Sequence, residues 1–439
     1  MKLEFPIGDS VSQLTKEQAR RDASASSVEA DGMLQSLCVY PTFRLLLMGT
    51  LATNSAFWMY QVAVGWLALQ LTDSPLFIGL AGFAGGIPML ILSLPAGVII
   101  DRYDRRTILL AAQGSVMVVS AIFAFLVGFD AIHPWSMLVL VAIYGSVMSF
   151  IFPTRTAIVA SLVERQDLAN AVALNAASQN ATRVLGPSIA GALIAVVGVA
   201  ETFAVAAVLQ SLALIATWQL PKIPSRVVAQ SGRGLQSLTL GFRIVASSPF
   251  LSALIILALA PTVLVMPYIN LMPIFARDIM GLGSGGLGIL LASTGLGTVG
   301  GALHVARSSR VRSWPPAQVV TACAFAIGVF AFAATQLVPL AVALLFIAGW
   351  MSASFLALNQ TAMQMSVEDD VRGRVFSVYL LTWGMLPIGQ LAVGALADLI
   401  GTPMALIASC ILATMCVLLI SWRFPSLRRQ STSIVASTI

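Results

Sequence analysis

Uninterrupted apolar runs of about 20 residues recur along this chain, and a helix of that length crosses a hydrocarbon layer of about 30 Å. Of the 439 residues, 58% are hydrophobic and 10% charged, where a soluble domain carries about a quarter charged residues. Most of the chain therefore cannot be solvated by water. In lipid every backbone amide needs an internal partner, so a spanning segment is a helix or a strand of a closed barrel. The runs here are continuous rather than alternating, which selects helices.

The runs lie near 43–70, 77–100, 107–129, 134–162, 168–198 and 200–220, then near 250–275, 284–306, 316–335, 337–364, 373–400 and 402–422. The expected fold class is all-α integral membrane, with twelve transmembrane helices in two six-helix bundles. Residues 1–40 are polar and are expected to form a flexible tail, 41–220 the first bundle, 221–248 a polar linker, 249–424 the second bundle and 425–439 a second tail. No cleavable signal peptide is expected before the first run, since the polar stretch ahead of it lacks a short apolar core and a small-residue cleavage site.

Charge placement orients the chain. With the N-terminus inside, 21 of the 24 Lys and Arg residues fall in cytoplasmic segments, leaving Arg277 outside and Arg155 and Arg183 within spans. The positive-inside bias thus predicts that both termini are cytoplasmic. The net charge of +6 is dispersed between apolar runs, which argues against a nucleic-acid partner and for a lipid bilayer. Cys38, Cys323, Cys410 and Cys416 show no metal-ligand or redox spacing. No metal site or cofactor is expected.

The halves resemble each other. Gly186, Gly191, Ala192, Leu193 and Gly198 match Gly389, Gly394, Ala395, Leu396 and Gly401 at a constant offset of 203. Helix five then corresponds to helix eleven, as expected of a duplicated six-helix unit with a cleft between the copies.

Between the second and third spans stands Gly97-Val98-Ile99-Ile100-Asp101-Arg102-Tyr103-Asp104-Arg105-Arg106. Gly97 permits close helix approach, Asp101 suits the N-terminus of a neighbouring helix, and the arginines hold the loop in the cytoplasm and can pair with acids such as Asp104 or Glu164. This spacing is that of the signature loop of the major facilitator superfamily, which residues 40–425 resemble throughout. The resemblance implies the major facilitator fold and a cytoplasmic latch made by Gly97, Asp101, Arg102, Arg105 and Arg106. The counterpart in the second half has Val305 where the acid would stand, so the latch is one-sided. Arg183-Val184-Leu185-Gly186-Pro187, with Gly191 following, resembles the helix-five motif of facilitator antiporters. Phe57-Trp58-Met59-Tyr60-Gln61, Leu69-Gln70-Leu71-Thr72-Asp73-Ser74-Pro75 and Val371-Arg372-Gly373-Arg374 resemble the subgroup that holds siderophore and macrolide exporters.

A charge at mid-helix costs about 2.5–3.5 kcal/mol on insertion scales, so it faces a polar cavity or snorkels. Arg155, near the cytoplasmic end of helix four, is read as snorkelling. Arg183 lies about 15 residues into helix five, roughly 22 Å along it, and continues a stripe with Asn175 and Gln179 at i, i+4 and i+8. The stripe is either an interhelix network or a cavity wall, and the cavity reading is favoured. Further cavity candidates are Asn54, Trp58 and Gln61 on helix one, Asn270 on helix seven, Asn359 and Gln360 on helix ten and Trp383 on helix eleven. Gly295-Leu296-Gly297-Thr298-Val299-Gly300 fits the dinucleotide fingerprint but lies within an apolar helix, with no strand before it and no acid after it. It is expected to be small-residue packing.

These features predict a secondary transporter, not an enzyme, that exports a small amphipathic substrate. The resemblance implies proton antiport and a home in the cell membrane, although no mid-helix Asp or Glu is present to carry the proton. The fold requires no oligomer, so a monomer is expected. Uptake, lipid flipping, or a non-transporting sensor or scaffold on the same fold are the alternatives.

Overall fold

The computed structural model describes residues 35–164, 166–223, 233–308 and 316–427. The first bundle contains α1 (Pro41–Thr72), α2 (Pro75–Arg102), α3 (Arg105–Gly128), α4 (Pro134–Leu162), α5 (Leu168–Val196) and α6 (Val199–Trp218). The second contains α7 (Pro249–Ile279), α8 (Gly283–Arg307), α9 (Ala317–Ala333), α10 (Val338–Met365), α11 (Asp369–Gly384 continued by Leu386–Ile400) and α12 (Thr402–Arg423). Among the described residues nine helices are long and apolar enough to cross a membrane; α1, α5 and α9 are the helices outside that set. In α5 the reason is its polar content, from Asn170 to Arg183.

Helix starts follow local chemistry. Proline occupies the first position of α1, α2, α4 and α7, where its missing N–H costs nothing. Ser74 caps α2 by accepting from the Phe77 amide, and Ser248 caps α7 by accepting from Leu251. Gly198 and Gly401, at the α5–α6 and α11–α12 junctions, have φ of +108° and +86°. These two, 203 residues apart, make the same left-handed turn in each half, which glycine adopts without strain.

The duplication is visible in the packing. A Cβ at Gly186 would lie 2.7 Å from the Cβ of Trp58 on α1, and one at Gly389 would lie 2.2 Å from the Val263 carbonyl on α7. Each glycine thus seats the first helix of its own half. A Cβ at Gly191 would meet the Gly288 Cα at 2.4 Å, and one at Gly394 the Gly79 Cα at 2.9 Å. Each of these seats the second helix of the opposite half. The α5–α8 and α2–α11 crossings therefore form the seam between the bundles.

The seam is tight toward the end where α1 meets α2, here the distal end. There Ser74 donates to Asp398 at 2.8 Å, and Arg277 pairs with Asp73 at 2.5 Å while donating to the Leu69 carbonyl at 3.3 Å. Close approaches continue inward through Gly86 against Pro387, to Gly384 against Leu90 and Gly295 against Val184. Toward the opposite, arginine-rich end, Gly97 has no heavy atom within 4 Å of its would-be Cβ.

Three stretches differ from expectation. Gln35–Val39, inside the expected flexible tail, is helical; Ser36 donates from its amide to the Asn170 side chain, and the Tyr40 hydroxyl donates to Asp167 at 2.8 Å. That hydrogen bond to a carboxylate holds the Tyr40 phenol above its ordinary pKa. In the polar linker, Arg233–Ser247 forms a helix that buries Ile244 and Val245 against the core of the second bundle, with Gly241 set against the Arg374 carbonyl of α11. The second tail begins with a helical turn, Pro425–Leu427, that buries Leu427. Residues 1–34 and 428–439 lie outside the described residues.

Candidate substrate cavity at the seam

Arg183 projects from α5 midway along the seam. Gly186, one turn further along, lets α1 approach closely enough for Trp58 to reach it. From the other half, α11 breaks at Met385, two residues after Trp383. The Arg183 guanidinium carbon lies 5.8 Å from the ring centre of Trp58 and 5.8 Å from that of Trp383. One cation thus engages an indole from each bundle, at a distance where cation–π attraction amounts to about 0.5–2 kcal/mol per ring. No ion pair reaches Arg183 among the described residues.

Trp58, Arg183 and Pro187 face Tyr268, Thr294 and Thr298 across a small cavity of about 60 Å³. Two π-helical turns, Pro261–Val265 and Phe275–Ile279, bracket Tyr268 in α7. Such turns add a residue to the helical repeat and recur at functional sites. Here they bring Met266, Tyr268 and Ile269 to the cavity. The wall therefore offers one cation, aromatic faces and hydroxyls, and it draws on both halves.

The sequence candidates part company. Trp58 and Arg183 line the cavity, and Trp383 touches Arg183. Asn54 and Asn175 are buried, Gln179 is half-buried, and all three stand outside the lining. The stripe expected along α5 thus reaches the cavity only at Arg183. Asn359 is fully buried and donates to the Leu254 carbonyl of α7 at 3.1 Å, which makes it interhelix glue. Asn270 abuts Gly82 beside Gln390, nearer the distal end of the seam. Gln360 is half-buried and Gln61 exposed, neither among the lining residues. Tyr268, Thr294, Thr298 and Gln390 escaped the sequence reading. Tyr268, two residues before Asn270 in an apolar run, carried the only usable signal.

Arg155 corrects the snorkelling expectation. It is 3% exposed, donates to Thr50 at 2.8 Å and to Thr53 at 2.6 Å, and points toward the Leu46 carbonyl. The hydroxyls of α1, turned toward α4, give this guanidinium a better resting place than the distant headgroups.

The 97–106 loop also departs from its expected pairings. Arg105 donates to the Ala157 carbonyl and the Ser161 hydroxyl of α4, both at 3.1 Å, and Arg106 to the Trp218 carbonyl of α6. Neither arginine pairs with Asp104 or Glu164. Asp104 instead caps α3 through the Thr107 amide at 2.8 Å and accepts from the Ile223 amide at 2.9 Å. Asp101 and Arg102 are exposed, and the Asp101 carboxylate forms no ion pair among the described residues. Gly97 makes no close helix approach in this arrangement. The glycines of the 295–300 stretch pack against Val184, Phe346 and Trp350, as small-residue contacts between helices.

The sequence pattern of the transmembrane secretion effector family matches residues 37–437. The staphyloferrin A transporter of Staphylococcus aureus (strain NCTC 8325 / PS 47) is 24% identical over 350 residues, covering 78% of this chain and 86% of its own. The enterobactin exporter EntS of Shigella flexneri is 26% identical over 351 residues, covering 78% and 81%. Among solved structures, a bacterial homolog of the human lysosomal transporter Spinster, inward-facing and unoccupied, superposes with a TM-score of 0.71 at 15% identity. The match spans 89% of this chain and 99% of that one, and shows a shared fold. With its duplicated bundles, its seam cavity and a family match over nearly its whole length, the chain belongs to the transmembrane secretion effector family of major facilitator transporters.

Proposed function

We propose that this protein exports a small amphipathic molecule from the cytoplasm by alternating access, with the two bundles rocking about the seam cavity and Arg183 contacting the substrate. The observation that carries this reading is the Arg183 guanidinium set between Trp58 of one half and Trp383 of the other. A group so placed changes its surroundings whenever the halves move, so it can bias the equilibrium between states when a ligand takes the place of an indole. The likeness to an enterobactin exporter supports export, and that to a staphyloferrin A transporter supports transport of a small molecule.

The arginine-rich end is read as cytoplasmic, with both termini on that side of a cell membrane and all twelve long helices crossing it. The tight distal seam and the free Asp101 then correspond to a state open to the cytoplasm. In the opposite state Asp101 docks near α11 as the latch. Proton antiport belongs to the same reading, and the carboxylates shared between the halves, Asp73 and Asp398, lie at the distal end.

The test is untargeted mass spectrometry of medium and cell extract from cells with the wild-type protein, with Arg183→Gln, or without either. A compound that moves to the medium with wild type but not in cells lacking the protein, and at least about tenfold less with Arg183→Gln, is the expected result. Accumulation inside the cell would replace export by uptake. Full export by Arg183→Gln at equal membrane abundance would remove the arginine from the site.

A further inference from the structure

The second half keeps a relic of the 97–106 loop at the end of α8, and its chemistry has changed. Where the first half presents the exposed Asp101, the relic buries Val305 in a small cluster with Ala317 and Leu358. His304 and Arg307, in the last turn of α8, remain exposed. They edge a groove of about 480 Å³ between α8 and α10, with Leu303, Gly300, Ser308 and Trp350 as its other walls. Gly300 shapes it: a Cβ there would lie 2.6 Å from two ring carbons of Trp350, so the indole lies flat across the glycine. The His304 ring stands 5.7 Å from that of Trp350. None of the lining residues is acidic, and Arg307 forms no ion pair among the described residues.

The groove faces lipid. Leu291, Gly295 and Thr298 turn one side of α8 to the seam cavity. Ile289, Leu296 and Leu303 recur every seven residues on the opposite side and are 56%, 59% and 49% exposed. Arg307 follows Leu303 by one turn on that same side. An apolar strip long enough to receive an acyl chain therefore ends in a cationic, indole-walled notch in the last turns of α8, at the arginine-rich end. A zwitterionic headgroup would bring its own cation into this notch, whereas an anionic one brings only the charge that the notch lacks.

We infer that the α8–α10 groove is a binding site for an anionic phospholipid of the leaflet at the arginine-rich end, its phosphate held by Arg307 and His304 and one acyl chain lying along Leu303 and Leu296. Neither the seam cavity nor the direction of transport enters into this inference.

The experiment uses the full-length protein, delipidated in detergent and titrated with phosphatidylglycerol or with phosphatidylcholine of identical acyl chains, bound lipids being counted by native mass spectrometry. One phosphatidylglycerol should be retained in preference to phosphatidylcholine. Arg307→Gln should lower that preference by about fivefold, the weight of one basic side chain near an anionic surface. Leu303→Glu, which puts a carboxylate in the notch while leaving Arg307 and His304 in place, should abolish it. Arg423→Gln, a basic residue at the same end on α12, should leave it unchanged. Equal retention of the two lipids, or an equal loss with Arg423→Gln, would overturn the site in favour of diffuse surface charge. Displacement of the lipid by glycerol phosphate alone would show that a free anion suffices and would overturn the acyl contact.

Discussion

Single residues carry much of the geometry here, and glycine positions carry the most. The α5–α8 crossing at Gly191 and Gly288 brings backbone to backbone, with a would-be Cβ 2.5 Å from the Gly288 nitrogen. Gly191→Leu should therefore cost at least the roughly 1–3 kcal/mol of ordinary overpacking and part the bundles, seen as a lower Tm and greater labelling of cysteines placed along the seam. Gly97→Leu meets nothing within 4 Å in this arrangement, so the present state should keep its Tm, while closure of the arginine-rich end suffers. Arg155 makes a different point. Its guanidinium is buried against hydroxyls with no acid paired to it among the described residues, and taking a charge out of water often costs more than its contacts return. Arg155→Met should leave Tm unchanged or raise it; a fall of many degrees would show that the hydroxyl contacts outweigh the desolvation. A snorkelling arginine would have left Thr50 and Thr53 without this partner.

At the scale of elements, most helices were legible because continuous apolar runs bounded by proline and capping serine leave few other choices. The interruptions were not. Pro261, Pro267 and Pro273 in α7, and Gly384 and Pro387 around Met385, mark where these helices can bend, but whether a bend becomes a π turn or a break depends on how the helices meet their neighbours. The linker helix was hidden for another reason. Its apolar positions Leu240, Ile244 and Val245 sit among polar and small residues, and only the face of α11 makes burying them worthwhile. The α1–α7 contact at the distal end invites a direct test. Asp73 is 74% exposed and Arg277 29%, so their pairing adds no more than about 1 kcal/mol to stability. That is still enough to shift a two-state equilibrium about fivefold. Arg277→Gln should leave Tm nearly constant and raise the reactivity of a cysteine placed deep in the distal seam.

Over the whole molecule, the pairing of each half's fifth helix with the other half's second makes two symmetric crossings about which the bundles can rock. The seam of this structure is sealed distally, and Asp101 is exposed, with no ion pair among the described residues. If the arginine-rich end closes over Asp101 in the transport cycle, Asp101→Asn should abolish transport while leaving the Tm of the present state unaltered. Loss of folding instead would mean that the loop's role is structural, as it is for Asp104 and Arg105, which tie α3 to the chain after α6 and to α4.

What the sequence determined by itself is whatever depends on local composition or on repetition. The membrane class, the helix order and the kinship of Gly186 and Gly191 with Gly389 and Gly394 all follow from runs, charges and a fixed offset. The tertiary structure decided which of the equally polar residues share a site. Asn359 and Trp383 stood as equal candidates, yet one binds a neighbouring helix and the other meets Arg183 from across the seam. The reason is physical: facing a cavity or a helix is a matter of where two bundles touch, and that contact is made between residues hundreds of positions apart.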